Sequence, residues 1–434
     1  MNKEIPGTIV FVSAFYNRTG LAGSARAWVK TMHEGGFSVR VVSVNDEQPG
    51  VDDFDVGLFK KLEMTPIKPP VTAIFFHNPS QSWLDVELPE PNIRIMLTGF
   101  VGTNVPPDWI DICNQMDQTC VMNALERFNW INSGININKL SILPGPNPWL
   151  NLPVSPLPRK HLKANEKRFR FLSIGTFTPN RRWDALIEAY LSRFKGRNDV
   201  ELYLRVNYPA WHPIPNQPQK DLLQLIQYLR KKTQSDAAIQ IDEDMGTRME
   251  IMELIDGADV YVSADVAYTA TVVEAICRRL PIIITREVFE DSPNIVKNSV
   301  AIEPDPAGRL INVEGDMLNY LPQYKDVSWP LLPISNIGDA LMKSFMMTDE
   351  DRSMRGKTLD LATFRHVFPE SFNGKMTRVI KSAWAIKRGV LLRDNFPQDR
   401  ESLALLGPGL NALERSEYDQ AIDYLQLNSE SHPE

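Results

Sequence analysis

Residues 169–206 read FRFLSIGTFTPNRRWDALIEAYLSRFKGRNDVELYLRV. An apolar run from Phe169 to Ile174 ends at Gly175 and a polar loop. A helical pattern follows from Trp183 to Phe194, and a second apolar run spans Val200 to Val206. Strand, helix, strand in this order is the unit of a parallel sheet, because parallel neighbours need a crossover between them. The fold class is therefore α/β.

The alternation continues towards the C-terminus. It predicts helices at Asp221–Lys231, Met249–Asp256 and Val272–Arg279, and strands at Ala238–Ile241, Asp259–Ser263 and Ile282–Thr285. Towards the N-terminus it is interrupted between Pro144 and Pro158, where Pro146, Pro148, Pro153 and Pro156 also stop any regular element. Beyond that break a second alternating unit appears. It has a strand at Thr8–Ser13, a loop through Gly20 and Gly23, and a helix carrying Ala25, Trp28, Val29 and Met32. A strand at Ser38–Val44 follows, with others at Val71–Phe76, Ile93–Leu97 and Gln118–Met122, the last opening a helix that ends near Gly134. Past Leu341 the pattern is mostly helical. The expected organisation is an N-terminal domain at 1–150, a proline-rich linker at 151–165, a C-terminal domain at 166–345, helices at 346–395 that pack back on the N-terminal domain, and a tail at 396–434 with an amphipathic stretch around Leu410–Leu425.

The composition bounds the function. The chain has 434 residues, 43% of them apolar, which is enough for two or three domains with substantial cores and excludes disorder as the main state. Against 54 Asp and Glu stand 47 Lys and Arg, a net charge of −7, which argues against a dominant nucleic-acid surface. Cys113, Cys120 and Cys277 form neither a disulfide framework nor a zinc motif. The N-terminal apolar run is too short for a signal peptide, and no run approaches the roughly 18 to 20 apolar residues that span a bilayer. A soluble, cytoplasmic protein is expected, with membrane contact only peripheral.

Two parallel-sheet domains about a hinge face their strand ends across a cleft, which is where open α/β sheets bind ligands. The loops at those ends supply the candidate residues. In Thr19-Gly-Leu-Ala-Gly23-Ser24, glycine lets backbone approach a ligand and the helix amides can hold an anion; the same glycines can serve turn geometry alone. Arg181 and Arg182 match a diphosphate's charge, or bridge surface carboxylates. Glu274, in the run Ser263-Ala-Asp265-Val-Ala-Tyr-Thr-Ala-Thr271-Val-Val-Glu274, can reach a ribose diol, or complete a capping box with Thr271. His77 ends a strand and suits acid, base or polar binding, or a structural place.

Together these segments resemble the nucleotide-sugar-dependent glycosyltransferases of the GT-B fold, particularly the retaining group-1 family, over roughly residues 8–385. The glycine loop to Arg26 and the helix ending at Gly35-Gly36-Phe37 are similar to that family's first loop and helix. Pro106-Pro107-Asp-Trp109, the strand to Asn123 and the stretch Leu140-Ser-Ile-Leu-Pro144-Gly145 resemble its approach to the interdomain linker. Phe171-Leu-Ser-Ile-Gly175 through Arg181-Arg182 and Leu186-Ile-Glu-Ala-Tyr190 resemble its donor-binding basic loop. Ala258-Asp259-Val-Tyr-Val-Ser263 and Glu274-Ala275 to Pro281-Ile-Ile-Ile-Thr285 resemble its glutamate motif. Eight positions before Glu274, where the family's first motif glutamate stands, this chain has Val266, and Ala267-Tyr268-Thr269-Ala270 replaces the glycines that follow it.

The resemblance implies two Rossmann-like doubly wound domains and transfer of a sugar from a UDP- or GDP-sugar, with retention and without a metal or other cofactor. The donor would be bound by Gly23, Arg181, Arg182, Thr271 and Glu274, and His77 and Asp265 would act on the sugar or acceptor. Asp242-Glu-Asp244, the nearest thing to a metal-binding pair, falls beside the donor base on this resemblance. The acceptor, whether glycan, lipid, protein, small molecule or modified nucleic acid, is left open. Val266 motivates an alternative, a non-catalytic binding or scaffold protein that keeps the fold. A sugar-nucleotide epimerase is a third reading.

Overall fold

The computed structural model describes residues 5–16, 20–44, 56–100, 102–146, 168–208, 212, 214, 216–243, 248–267, 269–289, 293–313, 318, 324–359 and 369–395. The expected linker at 151–165, the tail at 396–434 and Tyr268 lie outside them.

The N-terminal unit runs β1 (Thr8–Ser13), α1 (Gly20–Glu34), β2 (Val39–Ser43), α2 (Val56–Leu62), β3 (Val71–Phe76), α3 (Gln81–Leu84), β4 (Asn92–Leu97), α4 (Pro107–Gln115), β5 (Gln118–Val121), α5 (Ala124–Asn132) and β6 (Leu140–Ile142). Its six strands are parallel in the order β2-β1-β3-β4-β5-β6. Every residue of β1 and β3 is buried, as expected for strands covered on both faces by crossover helices.

The C-terminal unit runs β7 (Phe169–Thr176), α6 (Trp183–Arg193), β8 (Val200–Asn207), α7 (Gln217–Thr233), β9 (Ala238–Asp242), α8 (Arg248–Asp256), β10 (Val260–Ser263), α9 (Ala270–Cys277), β11 (Ile282–Thr285), α10 (Pro293–Asn298) and β12 (Val300–Ile302). This sheet is also parallel, in the order β12-β11-β10-β7-β8-β9. Counted within the unit, that is the order of dinucleotide-binding sheets, with its switch point between β7 and β10.

An antiparallel hairpin of β13 (Leu310–Asn312) and β14 (Ser328–Pro330) reaches back to the first unit. The Thr103 amide donates to the Ser328 carbonyl at 3.1 Å, and the Phe100 and Tyr324 rings stack at 5.3 Å. The chain closes with α11 (Ile334–Met346), α12 (Asp349–Thr358) and α13 (Pro369–Asn395). Whereas α11 packs on α6 and β12, α13 packs on α1 and β4 of the N-terminal unit. There Phe372 meets Trp28 edge-on at 4.9 Å, and Met376, Ile380 and Ala383 join the same buried cluster. The Asn373 amide donates to the Thr31 carbonyl at 3.0 Å.

Candidate functional site

At the C-terminal switch point two loops meet because β7 and β10 are neighbours. After β7 the chain turns through a single 3-10 turn, Pro179–Arg181, and enters α6 from Arg182, whose φ of 49° is left-handed. A non-glycine residue there costs on the order of 1 kcal/mol, and such strain tends to sit at functional sites. The loop after β10 is stitched to it by the Val266 amide, which donates to the Asn180 carbonyl at 3.1 Å.

Arg181 and Asp265, read separately in the sequence, form one ion pair: Arg181 Nη1 donates to Asp265 Oδ2 at 2.8 Å. The Ser263 hydroxyl donates to the same oxygen at 2.7 Å. Side-chain exposure is 20% for Arg181 and 6% for Asp265, so the pair is largely shut from water. Burial raises the Asp265 carboxyl above its ordinary value, opposed by Arg181 and by the Ser263 hydroxyl. On Arg181 burial acts downward, but Asp265 and Tyr261 outweigh it and hold the guanidinium protonated. Gly175 makes room for this side chain: a Cβ there would stand 3.1 Å from Arg181 Nε.

Arg182 is also buried, and its nearest carboxylate contacts, to the exposed Asp184, are long at 3.4 and 3.5 Å. Arg181 Nε and Arg182 Nη1 are buried donors with no hydrogen-bond partner among the described residues. A buried donor left without a partner is costly unless water or a ligand supplies the acceptor.

Helix α9 corrects the capping reading. It starts at Ala270 behind Thr269, whose side chain makes no cap bond, so Thr271 is not the cap and Glu274 lies beyond the first turn. Thr271 instead accepts a 2.7 Å hydrogen bond from the Tyr261 hydroxyl, and Glu274 is buried on the same helix. Val266 is buried too.

The remaining candidates belong to the other sheet. His77 follows β3, and Gly23 lies in α1, which follows the neighbouring β1; the Ser13 hydroxyl at the end of β1 donates to the Phe76 carbonyl at 2.9 Å and ties these strand ends together. Gly23 is not in a loop, as expected, but inside the helix, which starts at Gly20. The His77 ring packs 5.7 Å from Trp83, and burial holds its imidazole below the ordinary value despite a hydrogen bond with the Asn78 backbone. Among the described residues no hydrogen bond, ion pair or ring contact joins His77 or Gly23 to the Arg181–Asp265 pair.

Asp242, from the acidic pair considered for a metal, accepts from the Tyr203 hydroxyl at 2.6 Å and from Arg205; Asp244 lies outside the described residues. Among the described residues no three His, Cys, Asp or Glu side chains gather as metal ligands. Burial pushes the Cys113 and Cys277 thiols up to about 12, with Glu274 adding to the rise at Cys277, which suppresses thiolate chemistry at both. Among the described residues no helix is long and apolar enough to cross a membrane. Sequence reading missed Ser263 and Tyr261 as members of the switch-point network, because they sit inside what reads only as a buried strand.

No protein-family model matches the chain, and no curated protein matches it significantly. Solved structures do. The Anabaena protein HepE in complex with UDP and glucose is 9% identical with a TM-score of 0.60, over 87% of this chain and 100% of that one. The α,α-trehalose 6-phosphate synthase of Burkholderia multivorans is 10% identical with a TM-score of 0.59, over 88% and 99%. The N-terminal domain of Candida albicans trehalose-6-phosphate phosphatase is 8% identical with a TM-score of 0.56, over 88% and 98%. Two parallel six-stranded α/β sheets with C-terminal helices, laid out as in these proteins, give the chain a GT-B-like fold.

Proposed function

We propose that the chain is a glycosyltransferase that binds a nucleoside-diphosphate sugar at the β7/β10 switch point and passes the sugar to an acceptor held on the N-terminal side. The observation that carries this reading is the adjacent guanidinium groups at that switch point, Arg182 buried and Arg181 half-buried, each with a buried N–H donor that no described residue accepts. As the sugar–phosphate bond breaks, charge accumulates on the departing diphosphate. Donors fixed in advance in a site of low dielectric stabilise that charge without reorganising. Asp265 holds Arg181 in place, and its engagement there favours a positioning role over contact with the sugar. Glu274 would hold the ribose diol with Thr271 beside it, and His77, kept neutral by burial, would hydrogen-bond the sugar or acceptor. HepE has been solved with UDP-glucose, which makes a UDP-sugar the first donor to try. No step in this scheme calls for a metal. Retention of configuration rests on resemblance to the group-1 family.

The buried Val266 favours one other reading, a binding or scaffold protein that keeps the fold without catalysis. Incubation with a panel of UDP- and GDP-sugars separates the two. Slow release of free nucleoside diphosphate, faster with an acceptor, is the enzyme's signature. Absence of both release and binding across the panel would leave the scaffold.

A further inference from the structure

A second cationic site lies apart from the switch point, along the edge strand β12, two places from β10 in the sheet. A cavity of about 400 Å³ opens there between β12, α10, α11 and α12. Arg286, Lys297, Lys343 and Arg355 line it, with Glu303 as the one carboxylate among the described residues. Glu303 is engaged by Arg286 through two 2.6 Å contacts. Arg355 donates to the Ser299 carbonyl at 3.3 Å, and no carboxylate among the described residues pairs with Lys297, Lys343 or Arg355. Among the described residues, then, three cations without a carboxylate partner share one concavity with the Arg286–Glu303 pair at its side. Side chains that only solvate a surface can spread apart. Here three separate helices, α10, α11 and α12, fix their roots around the same space, so their mutual repulsion is relieved best by a multiply charged anion.

Charge and shape narrow the ligand. A dianionic phosphate monoester matches the cation excess better than a single carboxylate does. The volume exceeds that of a bare phosphate, and the small Ala301 with the apolar Val296 leaves a wall against which a compact carbon skeleton fits. We propose that this cavity binds a small soluble phosphate monoester, at a site independent of the nucleoside-diphosphate site proposed above.

The test is titration calorimetry at low ionic strength, with glycerol 3-phosphate, inorganic phosphate and neutral glycerol as probes. It compares the wild-type chain with Lys297→Ala/Lys343→Ala and with Arg181→Ala/Arg182→Ala. Lys297 and Lys343 are exposed, so their removal leaves the core intact, and a melting curve checks this. The expected result is saturable binding of glycerol 3-phosphate that is at least about tenfold weaker in the lysine variant, unchanged in the arginine variant, and absent for glycerol. Equal affinity in the lysine variant would overturn the proposal. So would loss only in the arginine variant, titrated below its melting transition, which would place the phosphate at the switch point, or no saturable binding in any chain. Binding of phosphatidate-containing vesicles without binding of glycerol 3-phosphate would assign the anion to a lipid headgroup and overturn the soluble ligand.

Discussion

A guanidinium–carboxylate pair that is largely shut from water makes loss of one partner expensive, because the other is left charged and unpaired. Arg181→Ala is therefore expected to lower stability by about 3–5 kcal/mol, and Arg181→Ala with Asp265→Asn by less, since the second change removes the stranded charge. Chemical denaturation of both variants checks this; equal losses would mean that the pair is not coupled. His77 offers a pH test. Its folded-state pKa lies below the ordinary 6.5, so below that pH the unfolded chain binds more protons and stability falls as pH falls, while above it the contribution is complete. His77→Gln should flatten the melting temperature between about pH 7 and about pH 5 relative to wild type. An identical slope in both would place the imidazole in water. Both arginines are visible in the sequence as a charged doublet, but the partner of Arg181 is not. Asp265 lies 84 residues away, and no local spacing encodes the contact. Only the strand order, which sets β7 beside β10, brings the two together.

Among the elements, those with continuous apolar runs are the ones sequence defines best. The expected limits of β1, β3 and β11 coincide with the observed ones, since long buried strands in parallel sheets need uninterrupted apolar residues. Short or proline-led elements escape the same reading. The three-residue strands β6, β12, β13 and β14 are too short to show periodicity, and α4 begins at Pro107, where proline reads as a break although it suits a helix's first position. The start of α1 is hidden in the sequence because Gly20 and Gly23 resemble turn residues, whereas Ala22, on the same first turns, is fully buried. Helix α5 carries the cap that α9 lacks: Asn123 Oδ1 accepts from the Glu126 amide at 2.8 Å, and Glu126 Oε2 accepts from the Met122 amide at 2.9 Å. Asn123→Ala should cost about 0.5–2 kcal/mol, read from denaturant midpoints. The same change should leave nucleotide affinity alone, because α5 belongs to the other sheet.

For the whole molecule, the described residues of the two units meet in more than one place, through packing that the composition does not announce. Phe372 on α13 is fully buried against Trp28, so Phe372→Ala should lose about 3–5 kcal/mol and expose α13 to limited proteolysis before the C-terminal sheet is cut. At Gly102, where φ is +140°, a Cβ would stand 2.1 Å from Val327 Cγ1, so the first unit's loop and the second unit's hairpin meet too closely for any larger residue. The doubly wound class and the two-unit layout were legible from the alternation of apolar runs. The meeting of loops at the switch point follows from that class, while the cavity along β12 depends on cations scattered over elements with no sequence signature. The proposed function requires the switch-point arginines to receive a nucleoside diphosphate. Its most direct test is titration of UDP and GDP into the wild-type chain and into Arg181→Ala/Arg182→Ala, below the melting transition of each. Submillimolar binding to the wild type that weakens at least about tenfold in the variant is the predicted result; equal affinity in the two chains would contradict it.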